Sequence, residues 1–211
     1  MKKLLYLSVF FTFFICSSQE KFSISTLTPK LLKKANSVVI DMSTKIVIKR
    51  YNSMTITEEK TITILNKKGL SDLDAYLHYD KSTKIKNLRA TIYNVLGEEI
   101  NTFKERDFKD VSAVGSVNLY SDNRVKYLDF TPSSYPITVT VEKEVKTRNT
   151  AFIRNFRPYV NYYQSIKSLT FEIENNSGIE LRSFENDFMQ DVNVESQTPQ
   201  LMRYSVKDLP S

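Results

Sequence analysis

The chain has 211 residues, 41% hydrophobic, 12% aromatic and 26% charged, with a formal net charge of +6, one histidine, one cysteine and no tryptophan. That census excludes most side-chain chemistry. A Cys–His or Ser–His mechanism has one imidazole to draw on, and a zinc site would need carboxylates for nearly all its ligands. Lys and Glu alternate and form no blocks, so the charge reads as a solvated mixed surface and no nucleic-acid partner is expected.

Met1-Lys2-Lys3 followed by the apolar run Leu4 to Cys16 has the basic start and the roughly dozen-residue apolar stretch of a secretory leader, too short for a mature membrane span. Small residues at Cys16-Ser17-Ser18 suit cleavage after Ser18, which leaves Gln19 first. Lipidation at Cys16 is the alternative, disfavoured because Ile15 stands where a lipobox wants Gly, Ala or Ser. Export to the periplasm or the extracellular space is therefore expected. Loss of Lys2 and Lys3 lowers the charge from +6 to about +4. Without Cys16 there is neither a disulfide nor a thiolate site. The remaining ~190 residues are enough to enclose a core by burial alone.

Thr28-Pro29-Lys30-Leu31-Leu32-Lys33-Lys34-Ala35 predicts a short helix: Thr28 can cap it, Pro29 suits the first helical position, and Lys33 and Lys34 favour its C-terminal end. Strand signals follow. Val38-Val39-Ile40 and Lys45 to Lys49 open the series. Residues 54–65 then alternate Met54, Ile56, Ile62 and Ile64 with Thr55, Thr57, Thr61 and Thr63, placing apolar groups on one face and threonines on the other. Glu58 and Lys60 fall on the apolar side. They predict a bulge, an exposed strand end or a twist past the sheet edge, and not buried charge.

His78, in Tyr76-Leu77-His78-Tyr79-Asp80, reads as a strand-end residue. The alternation recurs at 88–92, at Ile137, Val139 and Val141, and at Leu169, Phe171 and Ile173. Gly69, Gly97 and Gly178 each follow an Asn-containing run and read as hairpin punctuation. The fold class predicted is mainly β: a two-layer antiparallel β-sandwich with a short N-terminal helix.

Residues 107–130 break this regularity with paired charges. Asp107, Asp110, Asp122 and Asp129 are the strongest case for a carboxylate enzyme. Each, however, has Lys109, Arg124 or Lys126 for company, and ion pairing lowers a carboxyl pKa where a general acid needs it raised. No enzyme activity, catalytic residue, metal or cofactor is expected. The segment reads as a long loop pinned by charge pairs, with Leu119 and Tyr120 anchored in the core and Arg124 bridging Asp122 or Asp110. Partner contact is the other reading.

A second unusual run, Ala151 to Tyr163, interleaves Phe152, Phe156, Tyr159, Tyr162 and Tyr163 with Arg154 and Arg157. These residue types suit a contact patch, or a crossover that closes one end of the sandwich. The candidate structural or partner-contact residues are thus Asp110, Tyr120, Asp122, Arg124, Lys126, Phe152, Phe156 and Tyr162.

The run Asp110-Val111-Ser112-Ala113, followed by Leu119, Tyr120, Asp122, Arg124 and Lys126, resembles the DUF3857 type of domain of unknown function. That domain precedes transglutaminase-like domains in secreted bacterial proteins. The resemblance extends from about Ala35 to Tyr204 and implies a β-sandwich-like module. It divides the chain into a leader (1–18), an N-terminal segment with the helix (19–34), a β-sandwich domain (35–206) and a tail (207–211) where a following domain would begin. The expected role is non-catalytic docking of a transglutaminase-like domain or an envelope protein. The alternative is a stand-alone binder of cell-envelope glycan or peptide.

Overall fold

The computed structural model describes residues 22–113, 122–151, 153, 155–158, 161–184 and 191–211. The described strands are β1 (Ser37–Arg50), β2 (Ser53–Ile64), β3 (Tyr76–Tyr79), β4 (Thr83–Tyr93), β5 (Glu99–Lys104), β6 (Lys109–Ser112), β7 (Arg124–Tyr127), β8 (Ile137–Thr147), β9 (Gln164–Asn175), β10 (Asn193–Gln197) and β11 (Leu201–Leu209). Eight of them form one sheet in the order β10-β11-β9-β1-β2-β8-β4-β5, and three form a small sheet, β3-β7-β6. The mainly β class predicted from the alternation is the one observed. The two signals near 38–40 and 45–49 belong to a single strand, β1. It pairs antiparallel with β2 and, alone among the described pairings, parallel with β9.

Period-two alternation builds the core. Ile62 and Ile64 on β2, Leu88, Ala90 and Ile92 on β4, and Val139, Val141 and Val145 on β8 bury together on one face of the large sheet. Leu77 of the small sheet and Phe108 before β6 join the same cluster, so the small sheet roofs the β2–β8–β4 part of that face. Each such aliphatic side chain contributes about 1.5–3 kcal/mol by leaving water. A second cluster on the same sheet, Ile46, Ile48, Met54, Phe171, Ile173, Met202 and Tyr204, lies towards β9 and β11.

The threonine face is not left to water. Thr61, Thr63, Thr138 and Thr140 are buried, and they satisfy one another across β2 and β8: Thr61 with Thr140 at 3.0 Å and Thr63 with Thr138 at 2.9 Å. The N-terminal segment crosses this side. It forms a short 3-10 turn, Ile24–Thr26, and then the helix α1, Pro29–Leu32. Leu27 and Leu31 pack with Val38 and Ile40 of β1. Thr28 occupies the capping position, but its side chain makes no capping hydrogen bond.

Three local expectations are corrected. Glu58 and Lys60 are buried, at 9% and 8% exposure, because partners meet them. Lys60 Nζ donates to the Asp72 carbonyl at 2.7 Å and to Asp74 Oδ2 at 2.6 Å, while Lys143 Nζ lies 3.8 Å from Glu58. Gly69 sits in a 3-10 segment, Lys67–Leu73, and not in a hairpin turn. A Cβ there would stand 2.2 Å from the Asn36 carbonyl oxygen. The charged island is no plain loop either, since β6 and β7 pair antiparallel and flank its middle.

Candidate functional site

Strand register assembles the island around Asp110. Leu77, Lys126 and Asp110 stand in one cross-strand row of the small sheet, and Tyr79, Arg124 and Ser112 in the next row of the same face. Tyr79 Oη donates to Asp110 Oδ2 at 2.6 Å. Arg124 Nε donates to Asp110 Oδ1 at 2.9 Å and to Tyr79 Oη at 3.1 Å. Lys126 Nζ lies 3.5 Å from both Asp110 and Glu105. The hydroxyl of Tyr79, helped by Arg124 and then Lys126 and opposed by desolvation, holds the Asp110 carboxyl below its ordinary range. Tyr79 first, and then the Asp110 carboxylate, push the Arg124 guanidinium upward. A carboxylate so held is an anchor, not a proton donor.

The structure thus brings together Asp110, Arg124 and Lys126 and leaves Asp122 apart, where it accepts from the Lys81 amide at 3.2 Å. Arg124 therefore bridges Asp110, the second of its two predicted partners. Asp107 accepts from the Lys104 amide and Asp129 pairs with Lys109, so the four acids of the island are dispersed, each with its own partner. Tyr79, Asp80, Asp122 and Arg124 border a shallow groove of about 320 Å³ beside this cluster. Leu119 and Tyr120 lie outside the described residues.

Phe156 belongs elsewhere. Its ring stacks on Phe171 and Tyr204, centroids 5.4 and 5.7 Å away, over β9 and β11. A mixed cleft of about 230 Å³ opens beside it, lined by Phe156, Ile173, Leu181 and Met202 together with Asn155 and Arg182, with Phe184 at its rim, 92% exposed. Tyr162 is 94% exposed in the turn before β9, and Phe152 lies outside the described residues. Of the aromatic run, Phe156 thus lies over the face of the large sheet and Tyr162 projects to solvent.

Sequence reading missed Tyr79, which the register of β3 against β7 supplies, and it missed Phe171, Met202 and Tyr204 as cleft walls because they read as ordinary core. It also missed the buried polar hub under the 67–73 segment. There Asp72 accepts from Ser37 Oγ at 2.6 Å and from Asn161 Nδ2 at 2.9 Å. His78 is exposed on β3 with its ring edge against Tyr76. Among the described residues no three of His, Cys, Asp or Glu gather as metal ligands. No described helix is long and apolar enough to cross a membrane.

The family DUF3857, described as a domain of unknown function with a solved structure, matches residues 51–211. No curated protein matches the chain. Among solved structures, a Parabacteroides distasonis protein described as a candidate protease is similar at 10% identity and a TM-score of 0.56, over 83% of this chain and 36% of that one. Legionella pneumophila aminopeptidase A, solved with aspartic acid, aligns at 10% identity and a TM-score of 0.33 over 90% of this chain and 21% of its own. Native yeast LTA4 hydrolase aligns at 10% identity and a TM-score of 0.33 over 88% and 30%. The chain thus spans 36% of the first of these structures.

Proposed function

The chain belongs to the DUF3857 family, and from that membership we propose that it is a non-catalytic, exported β module that docks or positions a partner protein domain. The observation that carries this reading is the aromatic-walled cleft beside Phe156 with the exposed Phe184 at its rim. Its walls carry Phe156, Phe171, Tyr204 and Met202 beside the polar Asn155, Arg182 and Ser183, and its rim carries the projecting Phe184. Projecting aromatic rings, with Arg beside them, are what protein interfaces use as anchors. The matched part of the P. distasonis protein is a fraction of a longer chain. At 10% identity the likeness to it speaks for fold alone, and no chemistry is carried over. Export rests on the basic and apolar residues 1–16, and a transglutaminase-like domain is the partner that the family resemblance suggests.

A photo-crosslinking residue in place of Phe184, used in the cells that make the protein, tests this. A discrete protein adduct that disappears with Phe156→Ala supports docking. Adducts to polysaccharide alone, or none, overturn it.

A second reading, a glycan or peptide binder of the envelope, is favoured by the groove bordered by Tyr79, Asp80 and Asp122. Tyrosine with acids is a pattern that can hold sugar hydroxyls. Retention on cell-envelope polysaccharide that Arg124→Ala abolishes, in a protein still folded by circular dichroism, would support function there.

A further inference from the structure

Segments far apart in the chain meet at one end of the large sheet. Ser37 at the start of β1 pairs with Ile64 at the end of β2 and with Gln164 at the start of β9, and Leu209 at the end of β11 pairs with Ile166. Asn36 ties three of them together. Its amide donates to the Tyr163 carbonyl at 2.7 Å, its backbone carbonyl accepts from the Leu65 amide at 3.0 Å, and its side-chain oxygen accepts from Asn66 Nδ2 at 3.1 Å. The helix α1 is fastened to the same end, since Lys30 Nζ donates to the Asp208 carbonyl at 3.3 Å and Ser211 Oγ to that of Lys33 at 3.0 Å.

This convergence gathers charge of one sign. Residues 27–37, 64–71, 161–168 and 205–211 bring Lys30, Lys33, Lys34, Lys67, Lys68 and Lys207, all exposed, and the exposed acid among them is Asp208. Asp72 nearby is buried and accepts from Ser37 and Asn161, and Asp74 pairs with Lys60. Beside Asn36 project Tyr162 and Tyr163, 94% and 58% exposed. Their turn is held on both sides, by Asn161 Nδ2 on Asp72 at 2.9 Å and by the Tyr163 carbonyl on the Asn36 amide.

We propose that this end of the sheet is a contact surface for an anionic phospholipid bilayer. Lysines near such a surface are attracted one by one and need no fixed partner geometry. A site for a single phosphoryl group uses the planar fork of Arg instead, and these four stretches contain no Arg. Tyrosine, an apolar ring with a polar tip, settles at the level of the headgroups. Lysines around two projecting tyrosines therefore fit a headgroup plane. The contact leaves the cleft beside Phe156 open, because β9 runs from Gln164 at this end to the cleft's Ile173, about 30 Å along the strand. It stands independently of docking at that cleft.

Co-sedimentation with vesicles tests the proposal, on protein purified from the cells that make it so that every variant carries the same N-terminus. The first variant combines Lys33→Gln, Lys34→Gln, Lys67→Gln and Lys68→Gln. A control of equal net charge combines Lys49→Gln, Lys84→Gln, Lys86→Gln and Lys146→Gln, exposed lysines at the opposite ends of β1, β4 and β8. On vesicles of equal parts phosphatidylglycerol and phosphatidylcholine, the first variant should bind on the order of a hundredfold more weakly than wild type, and the control should bind nearly as wild type does. High salt should erase the difference. Tyr162→Ser should weaken binding several-fold with the charge unchanged. On phosphatidylcholine alone, wild type and both lysine variants should be alike. Equal binding by the two lysine variants, a loss as large on phosphatidylcholine alone, or indifference to Tyr162→Ser would each overturn the proposal. So would retention on an anionic polysaccharide without binding to the phosphatidylglycerol vesicles. Should circular dichroism show that the first variant does not fold, the pair Lys67→Gln and Lys68→Gln is read by the same criteria, with an expected loss on the order of tenfold.

Discussion

Tyr79 and Arg124 face each other across β3 and β7, with Arg124 Nε 3.1 Å from Tyr79 Oη, and both close on the carboxylate of Asp110. Three strands of the small sheet are thereby stitched through side chains as well as through backbone. Arg124→Ala removes the central donor of this cluster. Its expected cost is small because the group is nearly half exposed, and a melting scan should show a modest drop in melting temperature. Tyr79→Phe should lose a similar amount and should also raise the Asp110 pKa, readable by carboxyl-selective NMR titration. A Tyr79→Phe protein with an unmoved Asp110 titration would show that the hydroxyl does not hold the carboxylate.

Acid should loosen the fold through a second set of carboxylates. Glu172, held by Lys45 first and also by Arg203, and Glu174, held by Asn176 first and then Lys45, have pKa values below the ordinary range, as does Asp110. For a carboxyl lowered in the folded state, the stabilisation is present above the unfolded pKa and is lost as pH falls through the folded one. Urea midpoints should therefore hold near neutrality and decline below the ordinary carboxylate pKa of about 4. Glu172→Gln should flatten that decline, since the substituted side chain no longer takes up a proton on unfolding. An equal slope in wild type and variant would remove Glu172 from the account.

Gly69→Ala should be among the costlier single methyl additions in the molecule. The added carbon would meet the backbone oxygen of Asn36 at 2.2 Å, and backbone on both sides leaves little room to yield, so a loss of about 1–3 kcal/mol is expected. Gly178→Ala is the contrast, with nothing within 4 Å but a φ of +75°, and should cost about 1 kcal/mol through conformation alone. Denaturant midpoints of the two variants, compared directly, check the order.

Lys60→Ala should cost more than Arg124→Ala or Gly178→Ala. It strips the Asp72 carbonyl and the Asp74 carboxylate of a shared, buried ammonium, with Asp74 itself 35% exposed, a loss of about 2–3 kcal/mol. Lys60→Met keeps the apolar stem and should recover part of it. Thermal unfolding of the pair separates the packing share from the charge share.

Much of the large sheet is legible in the sequence, because Ile62 and Ile64 against Thr61 and Thr63, or Val139 and Val141 against Thr138 and Thr140, repeat with the period of the pleat. The class and the family follow from those residues and from the 110–126 run. What stays hidden depends on distant partners. Nothing local tells that Lys60 meets Asp72 and Asp74, so its place on an apolar face reads as a defect in the strand. Tyr79 stands 31 residues from Asp110, and only the β3–β7–β6 register joins them. The threonine face reads as solvated because hydroxyls are expected in water. That they are covered by the N-terminal segment, and bonded in pairs beneath it, is settled by tertiary packing.

The parallel pairing of β1 with β9 sets the order in which the sheet can close. Strands β1, β2, β8, β4 and β5 come from residues 37–147, and β9, β10 and β11 from residues 164–209. The two groups meet only along β1, where Ser37 and Gln164 are 127 residues apart in the chain. Until β9 arrives, one side of β1 is a bare ladder of amides and carbonyls, the kind of edge that recruits foreign strands. Contacts so distant in sequence form slowly. Premature termination anywhere before residue 164 would therefore yield an aggregating product, whereas a nick in the 148–163 connection of the finished protein would leave two pieces already zipped together along that seam.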